Sequence, residues 1–200
     1  HLFGANAAVA ADSLEQAVAG ADIDMVGAWD SYRPERQAVV ALIDTGVDMS
    51  HPDLPADAFW TNSKEIPDNG IDDDGNGYVD DIHGWDFYYG NNTLSTGSQD
   101  AHGTHCAGTV AAARGNGIVI AGIGGDGSVK VMPLKVLGGR GGTGTTANVI
   151  KAIHYAERNG AAICNMSMGA DTLDVALYLA MANSPMLFVV SSGNDGYNTD

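Results

Sequence analysis

The sequence predicts a three-layer α/β/α domain on a mostly parallel sheet, and three observations carry that expectation. Four short apolar runs are hydrophobic on both faces, as strands buried in a parallel sheet are. Segments with helical periodicity alternate with them. The residues with chemical potential cluster just after the runs, where ligands gather in such sheets.

Taken in order, the predicted strands are Ala38 to Ile43, Val129 to Val136, Ala161 to Met166 and Met186 to Ser191. The predicted helices are Thr104 to Arg114, Thr145 to Arg158 and Thr172 to Asn183. Asp44 follows the first strand, Ser167 to Gly169 the third, and Ser192 to Asn194 the fourth, whereas His102 opens a helix. Gly138 to Gly144 is a glycine-dense loop, and no internal repeat is present.

The chain has 200 residues, 44% of them hydrophobic, which suits one domain with a substantial core. Its longest apolar runs fall far short of the roughly 20 residues of a membrane helix, so membrane insertion is not expected. The formal net charge of -16 argues against nucleic acid or an anionic membrane as partner. Almost all of the acid is aspartate, 21 Asp against 4 Glu, which points to turns, caps and hard-cation ligands. Cys106 and Cys164 both sit in apolar surroundings and read as buried free thiols. No basic-then-apolar leader is visible, as would also hold for a processed secreted protein.

An aspartate at a strand end, followed by Thr-Gly, sits on a rigid element where a carboxylate can be buried to orient an imidazole. By itself Asp44 could equally cap a turn. His102 precedes Gly103 at a helix start, where the helix dipole disfavours a permanently charged ring and leaves a neutral base. His105 and Cys106 beside it invite comparison with a zinc half-site. No HExxH or CxxC accompanies them, so both are expected to pack beneath the helix.

In order, VALIDTGVDMSHPDL, HGTHCAGTVAA, NMSMG and SSGND resemble the aspartate, histidine, substrate-strand and oxyanion-asparagine segments of the subtilisin-like serine proteases. The resemblance runs from about Asp24 to Gly196, and HGTH resembles the bacterial-type branch more than the kexins. It implies an Asp-His-Ser triad in which Asp44 orients His102 and His102 acts as general base. It implies Asn194 as oxyanion donor, with Ser167, Met168 and Gly169 pairing with one side of an extended peptide and Gly142, Thr143 and Gly144 with the other. Ser192 and Gly193 complete a roomy pocket, with Asp195 at its rim or in a surface turn. Protein or peptide substrates and a secreted or cell-surface location follow from the same resemblance.

The family's serine stands in a Gly-Thr-Ser-Met-Ala type stretch, which is absent here. The expected reading is a peptidase domain over residues 28–200 that is incomplete at its C-terminus, with the remaining C-terminal part of the same domain as partner. Residues 1–27 are either a lead-in or the remnant of a pro-segment. The alternative is a catalytically inactive scaffold that binds or regulates.

DNGIDDDGNGYVDDIHGWDF carries the other strong signal. Asp72, Asp74, Asn76, Tyr78 and Asp80 fall at the first, third, fifth, seventh and ninth places of a calcium loop, with Gly77 at the sixth. His83 stands where a bidentate Glu belongs, so a full EF-hand is not expected; a calcium shell would be completed from outside by Glu65, Asn62 or Asp81, and the alternative is a solvated acidic loop. The expected cofactor is Ca2+. Asp86, with Asn91 and Thr93, resembles a further calcium loop of thermitase-like members, although several of its carboxylates are replaced.

Overall fold

The structure, a computed structural model, describes residues 23–32, 34–169, 172–194 and 196. The strands are β1 (Ala38–Asp44), β2 (Trp85–Asp86), β3 (Val129–Lys135), β4 (Ile163–Met166) and β5 (Leu187–Val190), and the helices α1 (Met25–Ser31), α2 (Ala101–Ala111), α3 (Thr146–Arg158) and α4 (Val175–Ala182). All strand pairs are parallel, in the order β2-β3-β1-β4-β5. The expected strands and helices are therefore present, shifted by a few residues at their ends.

Central position explains why β1 reads as apolar throughout. It pairs with β3 on one side and β4 on the other, and Val40 to Asp44 are all buried. Its two faces feed two cores. Leu42 packs with Val47, Phe59, Ala107, Ala111 and Val131, beneath α2. Ala41 and Ile43 pack with Met132, Leu134, Ile153, Tyr155 and Ala156, beneath α3. Full burial of each Leu, Ile or Val stabilises by about 1.5–3 kcal/mol, so the two cores together fix the sheet between its helical layers.

Helix starts follow local chemistry. The Thr145 side chain accepts the Asn148 amide at the head of α3, and Asp174 accepts the Ala176 and Leu177 amides at the head of α4. The second helix begins at Ala101, three residues before the expected start, because a 3-10 turn over Ser98–Asp100 leads into it. The two-residue β2 is too short to carry a period and was not foreseen.

β5 departs from expectation in its environment. It was expected to be buried, yet Leu187, Val189 and Val190 are all about half exposed or more, and α4 has no buried residue. The strand is the last in the sheet, and no described element covers its outer side. Of the lead-in at 1–27, residues 1–22 lie outside the described residues. α1 docks through Trp29, whose indole N–H donates to the Ile123 carbonyl (2.8 Å) and whose ring faces the Arg114 guanidinium at 4.5 Å. Among the described residues, no helix is long and apolar enough to cross a membrane.

Cys164 lies in the sheet with no exposed surface, and burial pushes its thiol up to about 12. Iodoacetamide at pH 8 is expected to leave Cys164 unmodified in the folded chain and to alkylate it in denaturant. Mass spectrometry of the tryptic peptide reads the difference, and alkylation at equal rates in both states would contradict the buried strand.

Candidate active site and acidic loop

Asp44 ends β1 with 1% of its surface exposed, and His102 occupies the second position of α2. The imidazole Nδ1 donates to Asp44 Oδ1 at 2.7 Å, and the Thr45 amide donates to the same oxygen at 2.7 Å. An ionised carboxylate only accepts, so the proton of this bond sits on Nδ1 and leaves Nε2 as the free acceptor. The His102 side chain is 54% exposed, so its reactive edge is accessible. Asp44 Oδ2 is buried and has no hydrogen-bond partner among the described residues.

The helix is held close to the strand. The Gly103 amide donates to Thr45 Oγ1 (3.0 Å), and Thr104 Oγ1 accepts the Asp48 amide (2.9 Å). A Cβ on Gly103 would run into the Gly46 carbonyl oxygen, so glycine follows His102 because nothing larger fits. Below this contact lies a feature that the sequence reading missed. Lys135 at the end of β3 and Asp100 just before α2 are both fully buried, and Lys135 Nζ donates to Asp100 Oδ1 (2.9 Å) and to the Thr45 carbonyl. The available signal was a lysine inside an otherwise buried strand, which demands a partner.

Cys106 faces the site and His105 does not. The Cys106 thiol is 3.7 Å from Ser167 Oγ, and burial chiefly, with the nearby Asp44 carboxylate adding to it, raises its pKa. Ligand atoms of Asp44, His102 and Cys106 lie within 4.8 Å of one another, although the two that define the dyad are engaged with each other. His105 was expected beneath the helix. It is instead exposed, because it projects from the face of α2 that lines a separate cavity with His51, Val119 and Ile120.

Ser167, Met168, Gly169, Ser192, Gly193 and Asn194 together line one open cleft of about 1390 Å³ at the carboxyl ends of β4 and β5. Asn165 Nδ2 donates to Ser167 Oγ (3.0 Å), and Ser191 Oγ donates to the Met168 carbonyl (3.0 Å), which fixes the strand ends at the cleft. Gly142, Thr143 and Gly144 are not part of this lining. They close a separate turn after β3, in which Gly138 and Thr143 form a bridge. Asp195 lies outside the described residues.

In the acidic loop, carboxylate oxygens of Glu65, Asp72 and Asp74 lie within 4.8 Å of one another. Glu65 is 6% exposed and accepts the amides of Asp73, Asp74 and Asp80. Asn76 Oδ1 accepts the Tyr78 amide. Two expected ligands behave differently. Asp80, at φ 53°, turns its carboxylate away to accept the Asn69 and Gly70 amides (3.1 and 3.0 Å). The Tyr78 ring packs edge-on against Trp85, Phe87 and Tyr155, which leaves its main chain alone to face the loop.

Asp81 anchors the loop to the core rather than closing it. It accepts from Asn62 and Asn76 (2.9 Å each) and from the Tyr155 hydroxyl (2.5 Å), while burial raises its pKa. Asp86 is also buried and raised by burial. Its Oδ1 accepts the Tyr88 and Tyr89 amides, and its Oδ2 has no hydrogen-bond partner among the described residues.

A model of the Subtilase family matches residues 35–200. The chain is 33% identical over 176 residues to the Thermophilic serine proteinase of Bacillus sp. (strain AK1), covering 86% of this chain and 37% of that protein. It is 34% identical over 177 residues to the Minor extracellular protease Vpr of Bacillus subtilis (strain 168), covering 86% and 19%. It is 35% identical over 172 residues to the Major intracellular serine protease of the same organism, covering 84% and 46%. The chain thus spans less than half the length of these relatives.

Gly103→Ala is expected to destabilise the chain by about 1–3 kcal/mol in urea denaturation, because the new methyl group overpacks the contact with Gly46. Tyr155→Phe is expected to cost about 1–3 kcal/mol, because Asp81 loses a buried donor. A stability unchanged within error in either variant would contradict the corresponding contact.

Proposed function

Because the chain belongs to the subtilase family, we propose that it supplies the base, the orienting carboxylate and one oxyanion donor of a serine endopeptidase, whose nucleophile lies outside these 200 residues. The observation that carries this reading is the 2.7 Å bond from His102 Nδ1 to buried Asp44. It holds the tautomer in which Nε2 can take a hydroxyl proton and later return it to the leaving amine, while Asp44 stabilises the imidazolium between those steps. Asn194, in the cleft with Ser167 to Gly169, is the amide that would meet the developing oxyanion. An extended peptide would add beside the Ser167 to Gly169 segment, which lines the cleft at the end of β4.

The C-terminal continuation of the domain is the proposed cover for β5 and α4. Their exposed apolar side chains, Val175, Tyr178, Leu179, Leu187 and Val190 among them, and the greater length of the relatives support it. The relatives' names include an extracellular and an intracellular protease. We read this chain as secreted or cell-surface, where millimolar calcium would fill the acidic loop.

Calcium is proposed at Glu65, Asp72, Asp74, Asn76 and the Tyr78 carbonyl. Three converging carboxylates offer the hard oxygen donors that this ion requires. Bound there, it would neutralise their repulsion and stabilise the folded loop. Asp80 serves that loop by fixing the turn at Asn69 and Gly70. Asp86, with its unpartnered Oδ2, is the proposed origin of a second, weaker site.

A serine-directed phosphonate is expected to leave the chain alone unlabelled and to label a serine in its continuation when both are present; labelling of Ser192 would contradict the reading. In the complete protein, His102→Ala should lower kcat by about 10⁶-fold and Asn194→Leu by about 10²–10³-fold, as measured on a peptide substrate. For the ion, calcium at a hundredfold excess over Kd should add about 2.7 kcal/mol. That excess would raise Tm by several degrees over chelator, and Glu65→Gln should abolish the shift. Equal midpoints with calcium and with chelator would exclude a structural site.

A further inference from the structure

The ion pair between Lys135 and Asp100 takes no part in the chemistry proposed above, yet both of its side chains are fully buried directly behind the dyad. Burying two charges is costly, and a well-packed apolar pair of similar volume is often as stable or more so. Stability is therefore a weak reason for such a pair to occupy this place. Its connections supply another. Lys135 is the register partner of Asp44 across β1 and β3. Its ammonium donates to the carbonyl of Thr45, the residue whose amide and hydroxyl serve Asp44 and Gly103. Asp100 stands two residues before His102, and its main-chain carbonyl accepts Thr104 Oγ1 (2.8 Å). The Asp100 carboxylate also accepts the Thr96 amide and the Thr96 hydroxyl (3.0 Å), tying in the loop before α2.

One ammonium thus joins the strand end that carries the carboxylate to the helix start that carries the imidazole. We propose that Lys135 and Asp100 are positioning residues, which set the distance between Asp44 and His102 by fixing the head of α2 against the end of β1. The proposal rests on the reading of Asp44 and His102 as a working dyad, but it concerns their geometry and not the presence of a nucleophile. Asp86, the other buried carboxylate that feels the Lys135 charge, has its Oδ1 engaged by the Tyr88 and Tyr89 amides, whereas Asp100 takes the ammonium directly.

The test is the proton NMR resonance of His102 Nδ1–H, which a short bond to a carboxylate moves far downfield and protects from exchange. It is read in the wild-type chain and in the double variant Lys135→Met with Asp100→Asn, which removes both charges and leaves neither unpaired. The expected result is loss of the downfield resonance in a double variant whose amide spectrum shows it folded; an unchanged resonance in the folded variant overturns the proposal. Should the double variant fail to fold, Thr96→Ala decides. It removes one donor to Asp100 from a partly buried residue, and at least a tenfold faster exchange of the His102 proton is expected, whereas an unchanged rate overturns the proposal. A purely structural pair would lower Tm without moving this proton. Failure of the phosphonate experiment would leave the resonance untouched, so the two readings fail separately.

Discussion

Everything at this site depends on a carboxylate kept out of water at the end of the central strand. Asp44 is 1% exposed, and a buried charge without donors would cost several kcal/mol. The chain meets this with donors from its own fold: the Thr45 amide, supplied by the turn that leaves β1, and the His102 Nδ1–H, supplied by a helix 58 residues further on. Among the described residues Oδ2 has no such partner, and a carboxylate oxygen of Asp44 lies within 4.8 Å of the Cys106 thiol. The need to bring α2 against β1 then explains Gly103, where any side chain would strike Gly46, and the tie from Thr45 to Gly103. Burial of β1 on both faces holds the strand end still enough for this to work.

Charge is handled differently in the two halves of the molecule. Behind the dyad, Lys135 and Asp100 neutralise each other in a fully buried pair, and removing one partner of such a pair typically costs about 3–5 kcal/mol. In the acidic loop, backbone amides and the Asn62 and Asn76 side chains do most of the compensating. Asp72, Asp73, Asp74, Asp80 and Glu65 each accept main-chain amides, and Asp81 is anchored by Tyr155. The amide bonds shape the loop without cancelling its negative charge. That is why three of its carboxylates converge with cation-binding chemistry still available.

The sheet was legible because parallel strands buried on both faces leave uninterrupted apolar runs, and the pairing of Asp44 with His102 was legible because their motifs sit at element ends. What escaped the sequence depends on long-range geometry. The partners Lys135 and Asp100 are 35 residues apart, and β2 has two residues. His105 was misplaced because its position relative to His102 does not fix which face of α2 meets the core. Asp80 was counted into the calcium loop by position, but a left-handed backbone at that residue turns its carboxylate onto a neighbouring turn. Exposure of β5 could not be read either, since an apolar strand looks the same whether its cover lies within the chain or beyond it.

The most direct measurement is the distance from His102 Nε2 to the nearest hydroxyl in an experimental structure of this chain together with its C-terminal continuation. The account predicts a serine Oγ at about 2.6–3.2 Å, at the start of a helix, with Asn194 aimed at the same reacting centre and the continuation covering β5. A structure in which β5 is covered but no serine hydroxyl approaches His102 would contradict it, and would leave Asp44 and His102 as part of a scaffold without catalysis.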